Sequence, residues 1–410
     1  MKNVFKQAMK IVACMAMSSL LFSSCGKESE NDREYLAVKM SKNDGWSIID
    51  KNGKVVVDDE YSADSDISAV YDGVYWIKTD GSFQLFNVKN PKKPLIDEEF
   101  AMVTEFSARR AAVSVIGKPI RIIDTSGKTI ATLGKSVKRV AKFSEDGFAV
   151  FMNSDEKFGV MDKNGKVVIK AEYNYIVPFI NDGIVLAQKN EYDEKVIILN
   201  TTGERLGTID VEKYEPMGMY SEGKILVVNK DNNRQEVFNK EGRKLFTVDK
   251  SKVVDNDYYG YNVKYIDGYA IFRKDDKYGV VDSDGNTVIR AKYRFIINLG
   301  KGEFAVSKDA HKGGIVNAED EKILEFNYSE VHDIKVGGNY LVKDGDEYLL
   351  IRRGGKNEIL ASFYAISLSL NECGFVDYID NVTKGDEHNY YDTHNEICDT
   401  LVIDSVVCDE

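Results

Sequence analysis

The sequence predicts an all-β protein built from repeated four-stranded units. Three observations support this prediction. A turn of the form Asp/Asn-x-x-Gly recurs along the 410 residues. Each turn is flanked by short runs rich in Val, Ile, Phe and Tyr, which are typical of strands. No helical periodicity follows residue 34.

The turn is clearest in EKFGVMDKNGKVVIKAEYNYI (156–176), which is nearly repeated as DKYGVVDSDGNTVIRAKYRFI (276–296). The first residue of the turn can accept backbone N–H groups, and Gly at the fourth position adopts the left-handed conformation that other residues resist. Copies of the turn, including weaker ones, end at Gly53, Asn90, Gly127, Gly165, Gly203, Gly242, Gly285, Asp320, Gly355 and Asn395. Successive copies lie 35 to 43 residues apart. Such a period is the signature of a repeat architecture.

Each unit contains four strand-like runs. Two form a hairpin around the turn, and two follow it, for example NYIVPF (174–179) and IVLAQK (184–189). Four short strands in about 38 residues is the content of one propeller blade. We therefore predict a β-propeller-like ring of about ten repeats over residues 35–410. Two smaller propellers and an open β-solenoid are the alternatives.

The two ends of the chain indicate how such a ring closes. The turn at Asn395 is accompanied by three strands of a unit and lacks the fourth, whereas Tyr35–Met40 has the register of a fourth strand. A composite blade of N- and C-terminal strands removes open sheet edges. We expect Tyr35–Met40 to lie beside Asp404–Glu410.

Three segments resemble WG repeats, which are named for a Trp-Gly pair before a turn of this kind. They are GWSIIDKNGKVVVDDEY (45–61), KFGVMDKNGKVVIKAEY (157–173) and KYGVVDSDGNTVIRAKY (277–293). The pair itself varies, reading Trp46-Ser47, Phe158-Gly159 and Tyr278-Gly279. The resemblance implies a β-propeller-like array in a family mostly without assigned activity, so it supports the fold and identifies no ligand.

The N-terminus has the features of a bacterial lipoprotein signal. A basic segment precedes an apolar run from Ile11 to Phe22, which is too short to span a bilayer. Ser23, Ser24 and Cys25 then resemble a lipobox. We predict a signal peptide over residues 1–24, lipid on Cys25 and a flexible tether over 25–34. The acidic tether resembles the surface-export signal of Bacteroidetes lipoproteins, which implies an outer-membrane lipoprotein facing the periplasm or the cell surface.

Charge and cysteine content narrow the function further. The formal net charge of −12 argues against nucleic acid as a partner. Beside the lipidated Cys25, the mature chain keeps Cys373, Cys398 and Cys408, which permit one disulfide of unspecified pairing.

Motifs that resemble catalytic or metal sites fail on their spacing. SGKT (126–129) lacks the first Gly of a phosphate-binding loop, and DSDGN (282–286) has its Gly too early for a calcium loop. DEHNYYDTH (386–394) offers His388, Asp392 and His394 as ligands on one strand face, but the repeat register places a turn there. We predict no catalytic residue, no metal and no cofactor.

One segment stands out as a candidate ligand-binding loop. The interval between Gly242 and Gly285 is the longest at 43 residues, and it contains VDNDYYGYNVKY. Its tyrosines could stack on sugars or anchor a protein partner, or they could pack between blades. These residues are Tyr258, Tyr259, Tyr261 and Tyr265.

These features predict a non-catalytic, lipid-anchored binding or scaffolding protein of the cell envelope. We expect a monomer that is attached to the membrane through Cys25 and presents its loops to a glycan or an envelope protein. One alternative is a polysaccharide-acting enzyme with its site in the central channel, where carboxylates from different repeats converge. Another is an outer-envelope assembly factor.

Overall fold

The structure of the protein is a computed structural model. It describes residues 32–62, 65–177, 180, 182–190, 194–216, 220–248, 265–309, 312–355, 357–367 and 375–377. Every regular element in this part of the chain is a β-strand.

The strands are short, as the short apolar runs of the sequence predict. The first eighteen are β1 (Asp32–Arg33), β2 (Tyr35–Lys39), β3 (Trp46–Asp50), β4 (Val55–Tyr61), β5 (Asp66–Ile67), β6 (Val74–Thr79), β7 (Ser82–Asn87), β8 (Met102–Val103), β9 (Arg110–Ser114), β10 (Arg121–Asp124), β11 (Thr129–Thr132), β12 (Val137–Ala141), β13 (Phe148–Asn153), β14 (Phe158–Asp162), β15 (Val167–Tyr173), β16 (Tyr175–Ile176), β17 (Ile184–Gln188) and β18 (Lys195–Asn200). The others are β19 (Arg205–Asp210), β20 (Tyr214–Pro216), β21 (Ile225–Asn229), β22 (Arg234–Phe238), β23 (Lys244–Thr247), β24 (Tyr269–Lys274), β25 (Lys277–Asp282), β26 (Thr287–Tyr293), β27 (Phe295–Asn298), β28 (Glu303–Ser307), β29 (Gly313–Asn317), β30 (Lys322–Tyr328), β31 (Glu330–Val336), β32 (Asn339–Asp344), β33 (Glu347–Ile351), β34 (Ile359–Phe363), β35 (Ala365–Ser367) and β36 (Phe375–Asp377).

The described strands form nine sheets, and the fold is a β-propeller. A typical blade is an antiparallel meander of four consecutive strands, such as β27-β28-β29-β30. The Asp/Asn-x-x-Gly turn joins the third and fourth strands of a blade. This confirms the predicted fold class, with nine blades in the described residues where the sequence indicates about ten.

The blades group into two compact units. One comprises Ser65–Thr208 and the described part of Ser369–Glu410, and it holds the sheets of β5–β7, β8–β11, β12–β15 with β36, and β16–β19. The other comprises the described parts of Ser24–Asp64 and Ile209–Leu368, and it holds the remaining five sheets.

The hydrophobic core of each unit lies between neighbouring sheets. The middle strands of a blade are covered on both faces by the adjacent blades. They are therefore apolar over most of their length, as in IVLAQ of β17, where all five residues are buried. In the first unit, the Trp76 ring packs against Phe106 of the next blade at a centroid distance of 5.7 Å. Each such layer removes several large apolar side chains from water, which is the main stabilising term.

The Gly of the WG-type pair is required by a bulge in the fourth strand. In the blade of β12–β15, Phe158 lies opposite Tyr173 and Val160 lies opposite Ile169, so the single residue Gly159 faces residues 170–172. A Cβ atom at Gly159 would lie 2.6 Å from the carbonyl oxygen of Ile169. The motif therefore marks a place where one backbone passes close to a bulged neighbour.

The N-terminal strand completes a blade with a partner other than the predicted one. β2 pairs with β3 on one edge and with β35 on the other, Val38 lying opposite Ile366. Both edges of β2 are therefore filled, and the C-terminal strand that closes this blade is β35, where the sequence predicts Asp404–Glu410, a segment outside the described residues. The sequence does not identify the closing strand, because every repeat carries similar strand-like apolar runs. The closing strand comes one repeat earlier than predicted.

The ordered fold also begins earlier than residue 35. β1, within the predicted tether, pairs in parallel with β31, and Asp32 Oδ1 accepts a hydrogen bond of 2.6 Å from the Gly338 N–H. The predicted signal peptide and residues 25–31 of the tether lie outside the described residues.

Candidate functional site

The blades carry a second repeated turn, between their first and second strands. Both central residues of this turn have positive φ, for example Asp72 at +51° and Gly73 at +77°. This is the type I′ geometry that suits a two-residue hairpin, and Asp-Gly favours it. Other turns of this kind contain Asp182-Gly183, Glu222-Gly223 and Asp267-Gly268. In the blade of β12–β15 the turn at the same place contains Asp146-Gly147, of which only the glycine has positive φ. This turn is not among the features predicted from the sequence, although an acidic residue before Gly between two apolar runs signals it.

Side chains of these turns bind the corresponding turn of the next blade. Asp146 Oδ2 accepts the Gly183 N–H at 3.2 Å, and Glu222 Oε2 accepts the Gly268 N–H at 2.8 Å. Turn carboxylates are therefore used to hold neighbouring blades together. Carboxylates in this position satisfy otherwise unpaired backbone donors.

A buried ion cluster joins the β27–β30 blade to the β31–β34 blade. Glu303 Oε1 accepts hydrogen bonds from the Tyr340 hydroxyl at 3.1 Å and from Arg353 Nε at 3.0 Å, and Glu303 Oε2 lies 3.3 Å from Lys335 Nζ. The side chains of Glu303 and Lys335 are each 7% exposed. Burial lowers the pKa of Lys335, although the Glu303 carboxylate opposes that effect. Because its members bind one another, this cluster is a structural link.

An open groove of about 550 Å³ lies elsewhere in the same unit. It is lined by Ser41, Lys42, Asn43, Asp346, Glu347 and Tyr364. Residues 41–43 belong to the β2–β3 hairpin, whereas Asp346 and Glu347 belong to the β32–β33 hairpin. We call this feature the Tyr364 groove.

Tyr364 forms the aromatic part of the groove. Its N–H donates to the Lys39 carbonyl at 2.8 Å, which fixes the backbone where the chain passes from β34 to β35. Its ring is partly exposed, and Lys42 Nζ lies 5.9 Å from the ring centroid. Lys42 also pairs with Asp346 at 3.3 Å. The groove thus combines an accessible ring with hydroxyl, amide, ammonium and carboxylate groups, a composition suited to a polar ligand with an apolar face.

The repeats show that an aromatic residue at this position is unusual. Tyr364 directly follows the residue that closes the fourth strand, Phe363. The corresponding residues in four other units are polar, namely Ser62, Asn174, Arg294 and Ser329. Comparison of the repeats at this position is the sequence signal that could have identified the groove.

The predicted ligand-binding tyrosines are only partly described. Tyr265 is 6% exposed and packs in an apolar cluster with Leu226, Val237 and Phe272. Burial, with the nearby carboxylates of Asp282, Asp284 and Glu222, raises the pKa of Tyr265 to about 12. Its ring fills the core between two blades and is unavailable for stacking on a ligand.

The remaining predicted site residues stay predictions. Tyr258, Tyr259 and Tyr261 lie outside the described residues, as do Cys25, Cys373, Cys398, Cys408 and the segment 386–394. Within the described ranges, no group of three or more His, Cys, Asp or Glu side chains could hold a metal ion. The same ranges contain no helix long and apolar enough to cross a membrane.

Comparison with protein families identifies the repeats. The model described as the WG containing repeat matches residues 46–82 and 158–192. Each match begins at the aromatic residue of a WG-type pair, Trp46 or Phe158. The chain contains WG repeats. In these repeats the paired aromatic lies opposite the closing Tyr, as Trp46 does with Tyr61. No curated protein matches the sequence of this WG-repeat chain at a significant level.

Solved structures resemble the WG-repeat chain in fold. A eukaryotic initiation factor aligns with a TM-score of 0.52 and 10% identity, covering 81% of this chain and 96% of its own. The computationally designed Ika8 protein aligns at 0.39 and 12% identity, covering 73% and 96%, and the C-terminal WD40 domain of Sif2 aligns at 0.35 and 12%, covering 63% and 84%. At such low identity, the first alignment supports the fold alone.

Proposed function

We propose that this WG-repeat chain is a non-catalytic, lipid-anchored binding or scaffolding protein of the cell envelope, and that the Tyr364 groove binds a glycan. The signal-like N-terminus and Cys25 support the envelope location. The proposal of a glycan ligand rests on the Tyr364 groove. A partly exposed ring can cover the apolar face of a sugar while the flanking polar groups form hydrogen bonds with the sugar hydroxyls.

The charges of the groove narrow the ligand class. One Lys and two acidic residues line it, and Lys42 is already paired with Asp346, which leaves the Glu347 carboxylate as excess negative charge. Negative charge in the groove disfavours uronic acids and other anionic sugars. We therefore expect neutral oligosaccharides, or oligosaccharides that carry free amino groups.

The groove is tested with the mature chain carrying Cys25→Ser, which removes the lipid attachment. Binding to a panel of neutral, amino-bearing and uronic-acid oligosaccharides is measured by fluorescence or on an array. We expect a neutral or amino-bearing oligosaccharide to bind, and Tyr364→Ala to weaken it at least tenfold. Phe295→Ala is the matched control, because Phe295 is an exposed aromatic residue outside the groove.

Two results would contradict the proposal. Equal binding by the wild type and Tyr364→Ala, or binding of uronic-acid oligosaccharides alone, would exclude the groove as described. Cleavage products after incubation with the same panel would instead favour an enzyme. The anchor is tested separately, because wild-type chain should fractionate with membranes in the producing bacterium and Cys25→Ser should not.

A further inference from the structure

A short segment near the C-terminus adds a fifth strand to the blade of β12–β15. β36 pairs with β12 in antiparallel fashion, with Val376 opposite Val140, Phe375 opposite Ala141 and Asp377 opposite Arg139. Val376 is fully buried and belongs to the same apolar cluster as Met102, Ile120 and Phe143. The contact therefore has an apolar anchor as well as backbone pairing.

The edge that receives β36 is unusual among the blades. Among the described first strands, β12 with five residues and β31 with seven are the longest, and these two carry an added strand. A long unpaired strand edge exposes a row of backbone donors and acceptors, which favours the addition of another strand. The length of β12 thus gives this blade an edge to which a further strand can pair.

The two added strands differ in how they are attached. β1 is joined to the blade strand β2 through a single residue, so it is covalently held near its site. β36 follows β35 only after residues 368–374, and the β12–β15 sheet has its full set of four strands without it. Loss of β36 would therefore leave the β12–β15 blade with its four strands. Because only three residues of β36 are paired, the strand forms few hydrogen bonds. We therefore expect its local opening to need little free energy compared with global unfolding.

We propose that the outer edge of β12 is a peptide-binding site that takes extended segments by antiparallel strand addition, and that Phe375–Asp377 is its resident, displaceable ligand. The pocket around Val376 suits a β-branched apolar residue. Arg139 lies opposite the next position and favours an acidic residue there. The site would thus select extended peptides with a Val-Asp or Ile-Asp pair.

The test uses the full mature chain with Cys25→Ser and a fluorescent peptide of residues 374–379, GFVDYI. In the wild type the resident segment competes with the peptide. Val376→Asp places a charge in the apolar pocket and should release the segment, so the variant should bind the peptide at least tenfold more tightly than the wild type does. The control peptide GFDDYI should not bind.

Amide hydrogen exchange provides a second measurement. Exchange of the Arg139–Ala141 amides should accelerate in Val376→Asp and slow again when GFVDYI is added. Equal peptide binding by wild type and variant, absence of binding to both, or equal binding of the control peptide would overturn the proposal. If Val376→Asp loses its folded circular-dichroism signal, Val376→Ala takes its place under the same criteria, with at least threefold tighter binding expected.

Discussion

At the scale of single residues, the Gly of the WG-type pair shows why the repeat motif exists. Gly279 lies opposite the bulge in β26, and a Cβ atom there would lie 2.5 Å from the Ile289 carbonyl oxygen and 2.6 Å from the Phe272 ring. The contacting oxygen belongs to a strand backbone, so it cannot move away by a change of rotamer. Glycine is therefore required at this position because there is no room for a Cβ atom.

Gly279→Ala should lower the free energy of unfolding by about 2 kcal/mol, the usual cost of overpacking. Gly134→Ala is the matched control, since the nearest atom to its Cβ would be Ser136 Oγ at 3.6 Å. That control should stay within about 0.5 kcal/mol of the wild type. Urea denaturation measures both, and equal midpoints for the two variants would contradict the steric explanation.

The surroundings of single residues could be predicted least well from the sequence. Tyr265 lies in a tyrosine-rich segment, and its sequence neighbours do not reveal that it fills the core between two blades. Tyr364 lies in an ordinary repeat, and only its comparison with equivalent positions marks it. Exposure depends on packing between units distant in the chain, which local pattern does not encode.

At the scale of strands and turns, prediction from sequence succeeded where a residue type is required by backbone geometry. In the Asp162–Gly165 turn, Asp162 Oδ1 accepts the N–H groups of Asn164 at 2.8 Å and Lys166 at 3.0 Å, as the turn chemistry predicts. First strands were harder to place, because some, such as β8 and β16, contain two residues. Two residues show no periodicity.

The contact between two blades at Glu303 gives a prediction at this scale. Glu303→Gln should lower the free energy of unfolding by about 3 kcal/mol, because Lys335 then stays buried without its carboxylate partner. Adding Lys335→Met should restore most of that loss, since it removes the uncompensated charge. Chemical denaturation of the single and double variants measures both effects.

An exposed ion pair in the same unit serves as the control for Glu303. Glu325 pairs with Lys322 at 2.6 Å, and both side chains are 47% exposed. Glu325→Gln should change the free energy of unfolding by less than about 1 kcal/mol. If Glu303→Gln costs no more than Glu325→Gln, the buried cluster does not hold the blades together.

At the scale of the whole molecule, the period of about 38 residues was enough to predict a propeller, because each regular turn implies one more blade. The number of blades and the identity of the closing strand could not be predicted. The turn at Asn395 looks like those before it, yet β35 already occupies the edge of β2. Similar repeats therefore identify the fold, but they do not show which repeat supplies the closing strand.

The pairing of β2 with β35 gives the third prediction. Ile366 is partly buried against the cluster of Leu36 and Val38, so Ile366→Asp should lower the free energy of unfolding by about 2 to 4 kcal/mol. Hydrogen exchange at Leu36–Val38 should accelerate at the same time. Ile359→Asp, at a residue 56% exposed in the same unit, should do neither. Similar exchange in the two variants would show that β35 does not secure the N-terminal strand.

This pairing has a consequence for biogenesis. Because synthesis runs from the N-terminus, the blade of β2, β3 and β4 stays incomplete until β35 is made, after the strands up to β34. We therefore expect this blade to be completed late in folding.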